Sequence, residues 1–317
     1  YFPVFAFLNH EELDSVSCVS KRMRSLVVAS RDKALKVKDR CLFITQINAE
    51  EVHFLFKQCN YSLSDNSALF KKTPKKSPKR RENGLPQQLL VSREISERAG
   101  KLLNRFHFHH IQLSSVSINL HFLDFLNKIS EDIPLCKFTI KNCCFEDEND
   151  ATLQEGFKQF LLSVKPDRVT LNFIWTRKPT FLDDEFLSSY AQNVADPIFI
   201  NRSRSSDQND NTPPHFAAEN FADTLSKYKI LEIWDQSLCI NSNGVAEAIM
   251  KRLRSRLNGR WEILVSRSIS QDEVESVLGE EMKLVADNFG LTVTMEDGNH
   301  GVYIKSKAGN ALECIFF

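Results

Sequence analysis

Seven short runs in which polar and apolar residues alternate recur along this chain at nearly even spacing, and they limit its fold more than any other feature. They are His110-Ile111-Gln112-Leu113, Lys137-Phe138-Thr139-Ile140, Arg168-Val169-Thr170-Leu171, Pro197-Ile198-Phe199-Ile200, Ile230-Leu231-Glu232-Ile233, Arg260-Trp261-Glu262-Ile263 and Leu291-Thr292-Val293. Measured on the last apolar residue of each, the steps are 27, 31, 29, 33, 30 and 30 residues. A period of two marks a strand with one buried face.

Between the runs, apolar residues return at three- and four-residue intervals. Leu153, Phe157, Phe160, Leu161 and Val164 make one stripe, and Phe186, Leu187, Tyr190 and Val194 another. Val245, Ala248, Ile249, Leu253 and Leu257 make a third. Each stripe reads as a helix with one apolar face. A last helix is expected over Val274, Val277, Met282, Leu284, Val285 and Phe289, opened by Ser270 and the acidic turn Asp272-Glu273. Strand and helix repeating at this interval bury their apolar faces by stacking on their neighbours, which predicts a curved solenoid with a parallel sheet. One unit, Phe138-x-Ile140-x-x-Cys143-x-Phe145, resembles the L-x-L-x-x-C/N-x-L core of leucine-rich repeats. A doubly wound α/β domain also alternates strand and helix. The even steps and the lack of a Gly-rich strand-to-helix turn favour stacking.

Residues 1–30 read as short helices divided by the polar turn Asn9-His10-Glu11-Glu12. The run Val4-x-x-x-Leu8-Asn-His-Glu-Glu-Leu13-x-x-Val16-x-x-Val19-Ser-Lys-Arg-Met23-Arg-Ser-Leu26 resembles an F-box, with Met23 where that family usually has Trp. The Leu-Pro that opens the family's motif would fall before Tyr1, and a chain that starts at Tyr1 reads as a fragment. Three short helices cannot bury their own apolar residues. Some of Val4, Phe5, Phe7, Leu8, Leu13, Val16 and Val19 are therefore expected to stay exposed until a second polypeptide covers them. The resemblance implies that this cover is the Skp-type adaptor of a cullin–RING ubiquitin ligase, with Met23 also in contact and Leu8 and Leu13 the most sensitive positions. Divergent F-box proteins with repeat arrays form expanded families in nematodes, and this chain resembles them. The fold class expected is thus α/β: a small all-α F-box-like segment over 1–30, then a leucine-rich-repeat-like solenoid over 96–317.

Two segments lie between. Residues 31–60 read as a bridge, strand-like at Leu42-Phe43-Ile44 and helix-like over Ala49 to Phe56. Residues 61–95 read as a disordered basic loop or linker, because prolines interrupt a cluster of self-repelling cations: Lys71, Lys72, Lys75, Lys76, Lys79, Arg80 and Arg81. This cluster has the composition of a nuclear localisation signal or of a plain linker. Nucleic-acid binding is not favoured, because no aromatic side chains are interleaved.

Lys+Arg 41 balances Asp+Glu 41, so net charge points to neither nucleic acid nor a membrane surface. No apolar run approaches the roughly 20 residues of a bilayer span. Eight scattered cysteines fit a reduced cytoplasmic or nuclear chain. His107 and His109 share a strand face next to His110, but no third metal ligand is identifiable. The run Glu146-Asp147-Glu148-Asn149-Asp150 lacks calcium-loop spacing and reads as a solvated turn. No nucleophile elbow, zinc-hydrolase or phosphate-loop motif occurs, so no catalytic residue, metal or cofactor is assigned.

The outward positions of the strands are the expected binding surface: Lys137, Thr139, Lys141, Arg168, Thr170 and Asn172, then Phe199, Asn201, Glu232, Trp234 and Glu262. Among them Phe199, Trp234, Lys141, Arg168 and Glu232 are the chosen contacts for a substrate protein, with Phe199 and Trp234 as aromatic anchors. The function expected is a non-catalytic adaptor joining a Skp-type subunit and cullin complex to a substrate. The alternative is an interaction scaffold with no ligase link, its first helices only a cap.

Overall fold

The computed structural model describes residues 13, 37–48, 51–56, 59–64, 71–73, 97, 99–100, 103, 106–130, 135–146, 151–176, 181–202, 204–205, 221–234, 242–265, 268–288, 290–307 and 311–317. In chain order the strands are β1 (Val37–Asn48), β2 (Glu51–Phe56), β3 (Cys59–Ser64), β4 (Lys71–Thr73), β5 (Phe106–Ser114), β6 (Ser117–Ile118), β7 (Lys137–Phe145) and β8 (Arg168–Thr176). They continue as β9 (Ile198–Asn201), β10 (Arg204–Ser205), β11 (Ile230–Ile233), β12 (Gly259–Leu264), β13 (Met282–Ala286), β14 (Leu291–Met295), β15 (Gly301–Lys307) and β16 (Ala311–Phe316). The helices are α1 (Leu120–Ser130), α2 (Ala151–Val164), α3 (Asp184–Asn193), α4 (Phe221–Ser226), α5 (Ser242–Arg254) and α6 (Gln271–Ser276).

All the strands belong to one mixed sheet. Its centre is parallel, with β1, β5, β7, β8, β9, β11 and β12 side by side in chain order. Both flanks are antiparallel: β2, β3 and β4 extend from β1, and β16, β15, β14 and β13 extend from β12.

This topology corrects the expected fold class. The described residues form a mixed α/β sheet with antiparallel flanks, not a solenoid of stacked repeats, and the all-α segment expected over 1–30 lies, except for Leu13, outside them. Val52 to Phe56, expected in a helix, forms β2, whose partner β1 takes up its backbone hydrogen bonds. The helix expected to reach Phe289 stops at Ser276, and Met282–Ala286 is β13 instead. Leu291-Thr292-Val293 is a strand but lies antiparallel to both neighbours. The segment read as a basic linker opens with β3 and β4, which pair with each other and place Lys71 and Lys72 in the sheet. Lys75, Lys76, Lys79, Arg80 and Arg81 lie outside the described residues.

The core follows from the alternation. Leu42, Ile111, Phe138, Val169, Phe199, Leu231 and Trp261 stand in register across seven strands. All are buried, and each large apolar side chain so buried contributes about 1.5–3 kcal/mol. Phe125 of α1 meets Phe54 of β2, Phe160 of α2 lies 5.2 Å from Phe138, Phe186 of α3 lies 5.7 Å from Phe199, and Arg252 of α5 covers Trp261. These four helices therefore share one side of the sheet.

Local signals set the helix ends. Asn119 Oδ1 accepts from the Phe122 amide at 2.9 Å, and Asp183 Oδ1 from the Phe186 amide at 2.7 Å. Ser270 and Glu273 form a reciprocal capping box at α6. Lys165, Asp196 and Arg256 take positive φ (44°, 51° and 55°) just past α2, α3 and α5, turning the chain back toward the next strand.

Of the N-terminal segment only Leu13 is described. It is helical and fully buried in its own chain, so it is not one of the residues of that segment that stay exposed. Val4, Phe5, Phe7, Leu8, Val16, Val19 and Met23 lie outside the described residues.

Candidate partner-binding face of the sheet

Side chains alternate along a strand, so every core residue is flanked by neighbours pointing to the side without these helices. On β7 and β8 the register places Lys137 beside Arg168, Thr139 beside Thr170 and Lys141 beside Asn172. Phe138, Ile140, Val169 and Leu171 lie between them on the core side, fully buried. The result is a polar plate two strands wide, with a cation at three corners and an amide at the fourth.

His110 of β5 stands next to Lys137. Its Nε2 lies 3.2 Å from Thr139 Oγ1 and its Nδ1 lies 3.7 Å from Cys41 Sγ. Burial first, and then the charges of Lys137, Lys141 and Arg168, push the imidazole down to about 4. It is therefore neutral near pH 7, and the three cations converge on it. Arg168 Nε donates to Thr170 Oγ1 at 3.4 Å. Among the described residues no carboxylate pairs with Lys137, Lys141 or Arg168. Asn172 Oδ1 is buried without a hydrogen-bond partner there.

Further across, the same face carries the opposite charge. Glu232, Glu262 and Glu313 form one row on β11, β12 and β16. Arg202 pairs with Glu232 at 2.5 Å, Arg260 with Glu313 at 2.7 Å, and Lys307 with Glu262 and Glu313 at 3.0 Å each. The hydrogen bond from Lys307 holds the Glu313 carboxyl below its ordinary range. Three cations thus neutralise three carboxylates, and the carboxylates are nearly covered, with side-chain exposures of 12%, 11% and 14%. One end of the face is self-compensated. The end at β5, β7 and β8 is positive.

The expected contact residues divide accordingly. Lys141 is exposed and Arg168 half-buried, both on the positive plate. Trp234 is 47% exposed, with the Arg202 guanidinium 5.6 Å from its ring. Glu232 is on this face but is committed to Arg202. Phe199 requires correction. It is fully buried against Phe186 and Tyr190, because register pairs it with Val169 and Leu231 of the core row. Asn201 is likewise buried, in register with Leu171 and Ile233. Sequence reasoning missed His110, Arg202, Arg260, Lys307 and Glu313 as parts of this face. The strand alternation around His110 and Arg260 was a signal that could have found those two.

Among the described residues no three His, Cys, Asp or Glu side chains are grouped to hold a metal ion. Cys143 lies in the core, where burial pushes its thiol up to about 12. Among the described residues no helix is long and apolar enough to cross a membrane. No family model matches the chain, and no curated protein or solved structure is found similar to it.

Proposed function

We propose that the chain is a substrate-recognition adaptor of an SCF-type (cullin–RING) ubiquitin ligase. Its first helices would hold the Skp-type adaptor, and the side of the sheet opposite α1, α2, α3 and α5 would receive a substrate protein. The contribution is proximity, which brings a target lysine to an enzyme carried by other subunits. Support for the first half is the run from Val4 to Leu26, which has the spacing of an F-box. The recognition half is carried by one observation: a sheet face whose cations Lys137, Lys141 and Arg168 have no carboxylate partner among the described residues, with exposed Trp234 further across, just past β11. Exposed aromatics and uncompensated charge are what a protein partner covers.

A second reading is an interaction scaffold with no ligase link, whose N-terminal helices only cap the sheet. The burial of Leu13 inside its own chain favours it. The two are separated by a pull-down of the purified Skp-type adaptor with the chain and with its Leu8→Asp variant, the fold of each checked by circular dichroism. The ligase reading expects retention by the first and loss by the second. Failure of the unaltered chain to retain the adaptor sinks it.

A further inference from the structure

We propose that the plate formed by β7 and β8 binds an extended, carboxylate-rich peptide segment of the partner protein, with Lys137, Lys141 and Arg168 each meeting an acidic side chain. This rests on the reading that the face opposite α1, α2, α3 and α5 receives a protein.

Charge is the first argument. Further across this face Arg202, Arg260 and Lys307 all have carboxylate partners within 3.0 Å. The three cations of the plate have none among the described residues. Lys137 and Arg168, direct cross-strand neighbours, repel one another, and an anionic occupant removes that cost. Their crowding is already felt by His110, whose imidazole they help to hold in its neutral form.

Spacing distinguishes the kind of anion. Lys137 and Arg168 are direct cross-strand neighbours, about 4.8 Å apart at the backbone, while Lys141 is four residues along β7, about 13 Å away. A single compact anion is too small to span that length. An extended peptide, whose alternate side chains repeat about every 6.6–6.8 Å, places carboxylates at both ends. Thr139 and Thr170 stand between them in register, both buried, and lysine stems leave room for the peptide to adjust. A nucleic acid fits less well, because among the described residues no exposed aromatic ring lies among these cations on which bases could stack.

The test uses the full chain and a fluorescein-labelled peptide of alternating glutamate and serine, read by fluorescence anisotropy. Peptides of alternating lysine and serine, a single-stranded oligonucleotide and inorganic phosphate serve as competitors. Saturable, salt-sensitive binding of the glutamate peptide is expected, weakened about tenfold by Lys141→Glu and by Arg168→Glu. Lys128→Glu, an exposed charge on α1, should leave it unchanged. Binding should also raise the pH at which the His110 imidazole titrates by NMR, since an anion offsets Lys137, Lys141 and Arg168, while Cys41 and Thr139 remain its other polar neighbours.

The inference is overturned if Lys128→Glu weakens binding as much as Arg168→Glu, if phosphate displaces the peptide at equal concentration, or if the oligonucleotide binds more tightly. It is also overturned if the peptide binds only after Asp147, Glu148 and Asp150 are neutralised, because the occupant would then be the chain's own acidic run. A chain that holds the Skp-type adaptor but ignores the peptide refutes this inference alone. One that binds the peptide but not the adaptor refutes the ligase reading instead.

Discussion

Lys158 of α2 reaches the residue that caps the next helix: its Nζ donates to Asp183 at 3.0 Å, while the other carboxylate oxygen of Asp183 accepts from the first turn of α3. Glu185 accepts from the same ammonium at 2.5 Å. The lysine is buried and its acidic partners are partly in water. One cation thus joins two neighbouring strand–helix units.

Replacing Lys158 with Ala should destabilise the protein by about 1–3 kcal/mol. This is less than for a wholly buried pair, because Asp183 and Glu185 regain water. Lys158→Met, which keeps the apolar stem, should cost less. Urea denaturation of the two variants checks the order, and equal losses would assign the effect to the lost ion pairs alone.

Arg252 is a buried cation of another kind. Its guanidinium donates to Ser226 O at 2.9 Å and to Asn258 O, and lies over the rings of Trp261 and Phe316. Burial pushes it down to about 10. A lysine has the charge but neither the flat stacking surface nor the two-carbonyl fork. Arg252→Lys should therefore lose about 2–4 kcal/mol, measurable as a lower urea midpoint with unchanged slope.

Gly259 opens β12 under the same guanidinium. A methyl group there would lie 2.4 Å from Lys229 O and 2.7 Å from Arg252 Nη2. The Lys229 carbonyl is fixed by the Arg260 amide at 2.9 Å, so it cannot retreat without breaking the β11–β12 ladder. Gly259→Ala should cost about 1–3 kcal/mol by overpacking. Thermal unfolding reads this, and an unchanged melting temperature would contradict it.

His110 predicts a pH dependence. Its folded value is about 4 against an ordinary 6.5. Between these values the unfolded chain binds more protons than the folded one, so stability falls as pH falls through that window. In His110→Gln the melting temperature should decline less steeply over the same range. Parallel profiles for the two proteins would show that His110 is not the titrating group.

Much of the secondary structure was legible in the letters. Lys137-Phe138-Thr139-Ile140 and Arg168-Val169-Thr170-Leu171 have one phase of alternation, and β7 and β8 follow it. Ile198-Phe199-Ile200 has no polar residue to set the phase, so either face was compatible with the sequence. Pairing with Val169 and Leu231 turned Phe199 inward. At the flanks, a strand and a short helix were confused over Val52–Phe56 and Met282–Ala286, because brief apolar runs satisfy both periods.

The sequence by itself determined the succession of strand and helix through the central region, since alternation and three-to-four spacing are local properties of the chain. It also determined that the strands carry cations at Lys137, Lys141 and Arg168 and carboxylates at Glu232 and Glu262. Only the tertiary structure decided which of these charges are satisfied. Register brought Arg202, Arg260 and Lys307 onto the carboxylates and left the cations around His110 without a carboxylate match among the described residues, because ion pairing acts across strands that are dozens of residues apart in the chain.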